Sequence, residues 1–187
     1  MILVIDLEAT CSEDDTITSE MMEIIEIGAV WANPEGQIIE RFQAYVRPTD
    51  HPQLTAFCTG LTGIDQATVD GAMTFDKVAP ALTEFAQHYR SPEGFWGSWG
   101  AYDRKQIERE CARHGLANPL EGLTHQNLKA LFAKQQKIGK QVGMSKALAL
   151  AGLTLEGQHH SGIDDACNIA RLLPWVLGTA KTRPLGS

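Results

Sequence analysis

Hydrophobic and polar positions predict three strands in the first quarter of the chain. The run Ile2–Ala9 is apolar up to Asp6, which is typical of a central strand covered on both faces. Glu23–Ala32, rich in isoleucine, predicts a second strand, and Gln37–Arg47 alternates well enough to be a third. The turn signal Asn33–Gly36 lies between these two strands, so we expect them to pair as a hairpin.

Helical periodicity dominates the remainder of the chain. Apolar residues recur at helical spacing from Phe75 to Tyr89, behind Thr74 as a capping residue, and a short strand is predicted at Phe95–Trp99. The other predicted helices are Tyr102–His114, Asn127–Gln136, Ser145–Ala151 and Ile163–Leu177. This order favours one mixed α/β sheet covered by helices, with a domain over residues 1–178 and a frayed tail over 179–187.

Length and composition fit one soluble domain. The 187 residues are 43% apolar, which is enough to bury a sizeable core. No apolar run reaches the roughly 18 residues of a membrane helix, and the N-terminus lacks the basic flank of a signal peptide, so we expect a cytoplasmic protein. The four cysteines lie 47 to 56 residues apart without a C-x-x-C pair, which predicts reduced thiols rather than a zinc site or a disulfide scaffold.

Charge is distributed unevenly along the chain. The net charge is −7, and residues 1–50 hold eleven acids against two arginines. Residues 122–155 hold five lysines and no acid. One part of the chain is therefore suited to cations and another to phosphates, although a lysine-rich solvated face is the alternative interpretation.

Two carboxylates end the first predicted strand. Asp6 and Glu8 are two residues apart and therefore point to the same face. Two acids this close repel each other, and a divalent cation would relieve both the repulsion and the cost of burial. Hard oxygen ligands favour Mg²⁺ or Mn²⁺, and a solvated strand end is the alternative.

A third acid begins the helix that follows the short strand. Asp103 is spaced four and eight residues from Ile107 and Cys111, which places it on the apolar edge of that helix. A capping box between Asp103 and Gln106 is the alternative interpretation.

The last predicted helix begins with two adjacent acids. Asp165 falls in line with the apolar positions of the helix and Asp164 with a more polar stripe, so Asp165 should face inward. The inward stripe is Ile169, Leu172 and Val176, and the outward stripe is Asn168, Arg171 and Trp175. A buried acid in a first helical turn needs a partner, and a metal ion is a suitable one.

Two histidines precede this helix. Histidine can take a proton from water near neutral pH, so either His159 or His160 is suited to act at the same site. The residues alone leave this choice open. All of these acids and histidines lie at the ends of predicted elements, where open α/β sheets place their sites.

The order D-x-E, D, H-x-x-x-x-D at positions 6–8, 103 and 160–165 resembles the motifs of a known family. It is similar to the DEDD exonucleases of the ribonuclease H-like fold, in the branch with histidine in the third motif. Longer stretches resemble the enhanced-RNA-interference subfamily, which includes the histone-mRNA 3′-end exonuclease. These stretches are Asp6–Cys11, Glu23–Gly28, Leu61–Ile64 and Asp164–Ala170.

This resemblance implies a mixed five-stranded sheet with the first strand central, flanked by helices. It also implies two Mg²⁺ ions, with Mn²⁺ as a substitute. Asp6 would bridge both ions, Glu8 and Asp165 would complete the first metal site, and Asp103 would hold the second.

The resemblance further implies roles at the reacting end of a substrate. His160 would be the general base that activates the attacking water. Glu8 and the backbone around Ala9 and Thr10 would hold the terminal nucleotide. The candidates to stack against a base are Trp96, Trp99 and Met21 or Met22, with a core position as the alternative for each.

The implied function is 3′→5′ exonuclease activity on single-stranded ends, RNA before DNA, with release of nucleoside 5′-monophosphates. A DNA exonuclease of proofreading or repair type is the first alternative, because only contacts to the 2′-hydroxyl separate the two polymers. A catalytically inert nucleic-acid-binding module on the same fold is the second. The acidic loop Ser12–Met22 borders the first motif and would repel a phosphate backbone, which limits the substrates that enter.

Overall fold

Five strands form a single mixed sheet in the computed structural model, which describes residues 1–14 and 16–182. The strands are β1 Ile2–Ala9, β2 Ile24–Ala32, β3 Ile38–Tyr45, β4 Phe95–Ser98 and β5 Thr124–Asn127. Their order is β3-β2-β1-β4-β5, with β1 antiparallel to β2 and parallel to β4. The prediction of a mixed five-stranded sheet with its first strand central is confirmed, as is the β2–β3 hairpin.

Helices cover both faces of this sheet. They are α1 Ala56–Thr62, α2 Gln66–Asp70, α3 Phe75–Gln87, α4 Tyr102–His114, α5 Leu128–Gln135, α6 Met144–Ala151, α7 Gly162–Arg171 and α8 Leu173–Val176. The prediction of one helix over Ile163–Leu177 is wrong, because the chain divides at Leu172 into α7 and α8. Pro174 has no N–H to continue the ladder, and its ring would clash with the carbonyl group four residues earlier.

Alternation along β1 separates two apolar cores. Leu3, Ile5 and Leu7 contribute to a core beneath α3 and α4. Ile2 and Val4 contribute to the opposite core, which α5, α6, α7 and α8 cover. Since side chains alternate on a strand, Asp6 and Glu8 continue the second row and face the side of the sheet on which α7 packs.

Three short elements escaped prediction from the sequence. The strand β5 reads Thr-His-Gln-Asn, which has no apolar alternation, and α1 and α2 span only seven and five residues. Each of the two helices begins with a side-chain cap, from Thr55 and Asp65 respectively. These caps are local signals that the hydrophobic pattern alone does not reveal.

Segments near the C-terminus pack more closely than the sequence suggests. Residues 179–182 contact α5 and α8, with Gln136 bonded to the carbonyl oxygen of Ala180 and the amide of Thr182. The expectation of a frayed tail is therefore wrong for residues 179–182, and residues 183–187 lie outside the described part of the chain. Asn168 is also buried rather than outward-facing, because its amide pairs with the backbone of Glu156.

The state of the cysteines and the lengths of the helices bear on two expectations from composition. Cys11, Cys58, Cys111 and Cys167 are all free thiols. Within residues 1–14 and 16–182, no helix has the length and apolar character needed to cross a membrane.

Candidate metal and active site

Three carboxylates meet where β1 ends against α7. Asp6 and Glu8 come from the strand and Asp165 from the first turn of the helix, and their ligand oxygens lie within 4.8 Å of one another. Asp165 is buried, and its Oδ1 has no hydrogen-bond donor among the described residues. An unpartnered buried oxygen facing two further carboxylates is what a divalent cation would satisfy.

Two glycines allow α7 to approach the sheet this closely. Gly28 on β2 lies opposite Asp6 on β1, and a Cβ at Gly28 would overlap the backbone of Gly162 and Ile163. A Cβ at Gly162 would lie 3.1 Å from the carbonyl oxygen of Asp6. The first turn of α7 therefore rests directly on strand backbone, which brings Asp165 to the acids of β1.

A buried glutamate fixes the start of α7. Ser161, at the N-cap position, forms no side-chain cap bond, so the first amides of α7 depend on another acceptor. Glu26 accepts from the N–H groups of Gly162 at 2.9 Å and Ile163 at 3.2 Å. A carboxylate at this end of a helix is also favoured by the helix dipole.

Asp103 joins the site from α4, on the other side of β1. Its Oδ1 accepts from the backbone N–H of Leu7 at 3.1 Å, and the residue is 5% exposed. The inward orientation is confirmed. The capping box is not formed, since the Gln106 amide donates to the carbonyl oxygen of Met22 instead. Asp103 does not belong to the group of Asp6, Glu8 and Asp165, whose ligand oxygens lie within 4.8 Å of one another. Its carboxylate is therefore suited to a second position in the site.

Both histidines lie beside Asp165, in different ways. The ring of His159 contacts Asp165 directly, with Nδ1 to Oδ2 at 2.8 Å. His160 donates its backbone N–H to the same oxygen at 3.1 Å and stacks its ring on that of His159 at 4.1 Å. The φ angle of His160 is 64°, which is uncommon for a residue with a Cβ and is typical of strained functional positions.

Burial and mutual repulsion make these carboxyl groups weak acids. Burial, followed by the neighbouring acids, raises the pKa of Glu8 to about 9 and holds the pKa of Asp6 well above its usual range. Burial raises the pKa of Asp103 to about 6 and also raises that of Asp165. Each shift reports the cost of burying a negative charge, and the shifts of Asp6 and Glu8 also report the cost of placing negative charges together. A bound cation would offset both costs.

The pKa of His160 moves in the opposite direction. Burial and the neighbouring His159 ring lower it, while Asp165 opposes the shift. A lowered pKa leaves the imidazole neutral at pH 7, so it is able to accept a proton.

A cavity of about 390 Å³ opens above the carboxylates. All four acids, both histidines and Ala9 line it, together with Met22, Leu61, Trp99, Tyr102, Gly143 and Met144. Of the other residues predicted to hold substrate, Thr10 is absent from this lining. Its hydroxyl accepts from the amide of Glu23, and its own N–H donates to the carbonyl oxygen of Glu23, so Thr10 fixes the end of β1.

Trp99 lies between the cavity and the core. Its indole N–H donates to the carbonyl oxygen of Val142 at 3.0 Å, and its ring packs on Phe132 at 5.7 Å. Trp99 also lines the cavity, so the core position is confirmed and stacking against a base stays a prediction. Trp96 is buried, and its ring contacts that of His125 in a tilted arrangement, with the centroids 4.4 Å apart.

Reasoning from the sequence assigned no role to Glu26, Gly28 or Gly162. The segment Glu23–Gly28 stands out by resemblance alone. A charged residue within an otherwise apolar strand was the available signal, because such a residue is buried only with a partner. The identity of the partner depends on α7, which lies far away along the chain.

Comparisons with known proteins agree with this geometry. The model of the family described as Exonuclease matches residues 3–173. ERI1 exoribonuclease 2 of Homo sapiens is 35% identical over 94% of this chain, and the match spans 28% of that protein. The 3'-5' exonuclease Snipper of Drosophila melanogaster is 30% identical over 92% of this chain and 67% of its own length.

A solved structure extends the likeness to the fold. The nuclease domain of 3'hExo, described as a DEDDh family member and bound to rAMP, superposes with a TM-score of 0.81 at 28% identity. That likeness covers 97% of this chain and 94% of the other.

Proposed function

Because this chain belongs to the Exonuclease family, in its ERI1-like DEDDh branch, we propose that it is a metal-dependent 3′→5′ exonuclease. Its substrate is a single-stranded RNA 3′ end, and its products are nucleoside 5′-monophosphates. The observation that carries this proposal is the group of three carboxylates within 4.8 Å, with the unpartnered Asp165 Oδ1 among them.

The DEDDh family depends on divalent metal, and the donor set here suits two Mg²⁺ ions, with Mn²⁺ as a substitute. Asp6, Glu8 and Asp165 would hold one ion, and Asp103, with Asp6 shared, would hold the other. When bound, such ions offset the negative charge of the carboxylates and of the phosphate under attack.

His160 is the proposed general base. Its neutral ring lines the cavity beside Asp165, where it can take the proton of the attacking water. His159, bonded to Asp165 Oδ2, is assigned the task of orienting that carboxylate.

The terminal nucleotide is assigned to the cavity above the carboxylates. Glu8 and the backbone of Ala9 form one wall, and Trp99 offers an aromatic surface to the base. RNA is the favoured polymer because the human relative is named an exoribonuclease. Action in the cytoplasm is also proposed, because four free cysteines are typical of a reducing compartment.

End-labelled RNA and DNA strands of one sequence test the proposal. Each is incubated with wild type, His160→Ala and His159→Ala, in Mg²⁺ or in EDTA. We expect stepwise shortening from the 3′ end, faster for RNA and absent in EDTA. The kcat of His160→Ala should fall by about 10²–10⁴-fold, as is typical for loss of a general base.

The histidine pair acts as its own control. His159→Ala should retain more kcat than His160→Ala and should need more Mg²⁺ for half-maximal rate. A larger loss of kcat in His159→Ala would assign proton transfer to His159 instead. Faster shortening of DNA would favour the proofreading or repair alternative, and no shortening of either polymer in Mg²⁺ or Mn²⁺ would favour an inert binding module.

A further inference from the structure

A second concave surface lies where α5 ends. It encloses about 600 Å³ and carries three lysines that we call the lysine cradle: Lys134, Lys137 and Lys140. The remaining lining residues are Ala130, Ala133, Gly139 and Gln141, and none of them is acidic. The cradle therefore concentrates positive charge on a protein of net charge −7.

These lysines have no acidic partners in the described part of the chain. None of them takes part in an ion pair among residues 1–14 and 16–182. The sequence from 122 to 155 contains no acid, so no local carboxylate is available to neutralise them. Lysines that line one concave surface without an ion-pair partner form a site suited to phosphate.

Lys137, in the lysine cradle, has an unfavourable left-handed backbone conformation. The N–H of Lys137 bonds to the carbonyl oxygen of Lys134, and the N–H of Ile138 bonds to that of Ala133. This is the Schellman pattern, whose left-handed position is usually glycine. Here that position is Lys137, with a φ of 55°, although a side chain is unfavourable in this conformation.

The cradle is joined directly to the catalytic cavity. Only two residues, Gln141 and Val142, separate Lys140 from Gly143, which lines that cavity, so the two Cα atoms lie at most about 11 Å apart. The carbonyl oxygen of Val142, between them, is held by the indole of Trp99 at the cavity wall. The helices α5 and α6 that flank this connection pack on the same face of the sheet as α7.

We propose that the lysine cradle binds the phosphate backbone of the substrate strand upstream of its 3′-terminal nucleotide. Stacked nucleotides advance by about 3.4 Å each, so the upper limit of about 11 Å between Lys140 and Gly143 places the cradle within roughly three nucleotides of the cavity wall. The proposal rests on the exonuclease function, since it requires a strand whose 3′ end occupies the cavity. The cradle then explains how a protein of negative net charge binds a nucleic-acid strand. Positive charge next to the catalytic cavity attracts the phosphates, although the surface as a whole does not.

Binding and hydrolysis with oligouridylates test the cradle. Fluorescence anisotropy in EDTA measures the affinity for a twelve-nucleotide strand without turnover, for wild type, Lys137→Gly, Lys137→Gly/Lys140→Gln and the control Lys77→Gln. Lys77 lies on α3, on the other face of the sheet, and pairs with Asp76. The double variant should bind several-fold more weakly, and its log–log salt slope should flatten by about 1.4, because each lysine that neutralises a phosphate contributes about 0.7.

Lys137→Gly separates binding from folding. The substitution removes a charge and also the left-handed strain, so it should raise Tm by about 2–4 °C while it weakens binding of the long strand. Hydrolysis of a dinucleotide in Mg²⁺ should proceed with unchanged kcat/KM in all variants, because its one internucleotide phosphate is the one hydrolysed at the carboxylates and none remains for the cradle.

Two results would overturn the proposal. Unchanged affinity and salt slope in the double variant would show that the lysines are only a solvated face. An equal loss for the dinucleotide and the long strand would point to a disturbed cavity rather than a strand contact. If wild type binds the long strand but hydrolyses nothing, the proposed exonuclease function is wrong. The anisotropy comparison between wild type and the double variant still tests whether the cradle binds the strand.

Discussion

Buried carboxylates in this protein divide into two kinds according to their partners. Glu23, Glu26 and Glu110 are 1% exposed, and each accepts backbone N–H groups from other segments. Among the described residues, the side chains of Asp6 and Glu8 accept no hydrogen bond, and one oxygen of Asp165 also has none. The first kind stabilises the fold through charged hydrogen bonds, whereas the second kind bears a cost that a bound cation or a proton relieves.

The stabilising role of carboxylates that accept backbone N–H groups can be tested at Glu23 by changing the pH. Burial raises its pKa, but hydrogen bonds from Thr49, His51 and Asp50 outweigh burial and leave the pKa below its usual value. Its stabilisation is therefore present above the ordinary glutamate pKa and is lost as pH falls through the lowered value. At pH 7, Glu23→Gln should lower the free energy of unfolding by about 2 kcal/mol.

Denaturant melts between pH 7 and pH 3 measure this contribution. The difference between wild type and Glu23→Gln should shrink as the pH falls, and Glu84→Gln on the exposed face of α3 should show little difference at any pH. A difference that stays constant to pH 3 would contradict the role given to the ionised carboxylate.

At the scale of elements, the site depends on how α7 is mounted on the sheet. Gly28 leaves room for the helix backbone, and Glu26 binds the first amides of the helix. Both residues belong to β2 and lie opposite Asp6 and Glu8 in the register of β1. Strand β2, which pairs with β1, therefore sets how far from the sheet Asp165 and both histidines lie.

Gly28→Ala should displace α7. Its added Cβ would overlap backbone atoms, which cannot move as a flexible side chain does. We expect a loss of about 1–3 kcal/mol in stability, as is typical of overpacking, together with a larger loss of metal-dependent activity.

Gly60→Ala is the matched control, because a Cβ there meets nothing within 4 Å in helix α1. It should raise stability by about 0.5–1 kcal/mol and leave kcat unchanged. Full activity in Gly28→Ala would show that the position of α7 is not critical to the site.

At the scale of the whole molecule, the acids of the site come from three separate parts of the fold. Asp6 and Glu8 lie on the central strand, Asp103 on α4 and Asp165 on α7. Two cations that share Asp6 and are held by these four acids would link both sides of the sheet at its centre. Metal binding should therefore raise the free energy of unfolding of the whole domain, and not only stabilise the ends of its elements.

A thermal melt with and without Mg²⁺ measures this linkage. At a concentration about a hundred times Kd, binding adds about 2.7 kcal/mol, which corresponds to a rise of about 5–10 °C in Tm for a domain of this size. Asp165→Asn should abolish the rise. Asp164→Asn should keep most of it, because Asp164 is turned away and accepts from the amide of Gln158. The reverse result would refute the assignment of the inward-facing acid.

The sequence by itself determined the faces of the elements. Alternation placed Asp6 and Glu8 on one side of β1, and the helical period turned Asp103 and Asp165 inward. These features could be predicted because the periods of strands and helices are local properties of the chain. The family motifs then supplied roles that periodicity cannot, including the choice of His160 over His159.

Only the tertiary structure decided which distant groups meet. The bond from Glu26 to the start of α7 joins residues 136 positions apart, and the contact of Asp103 with Leu7 spans 96. The polar strand β5 forms because it pairs with β4 through backbone hydrogen bonds. Helix α7 ends at Arg171 because Pro174 has no N–H with which to continue the helical hydrogen bonds. Such contacts depend on the packing of the whole chain, whose geometry no local pattern of hydrophobic and polar residues contains.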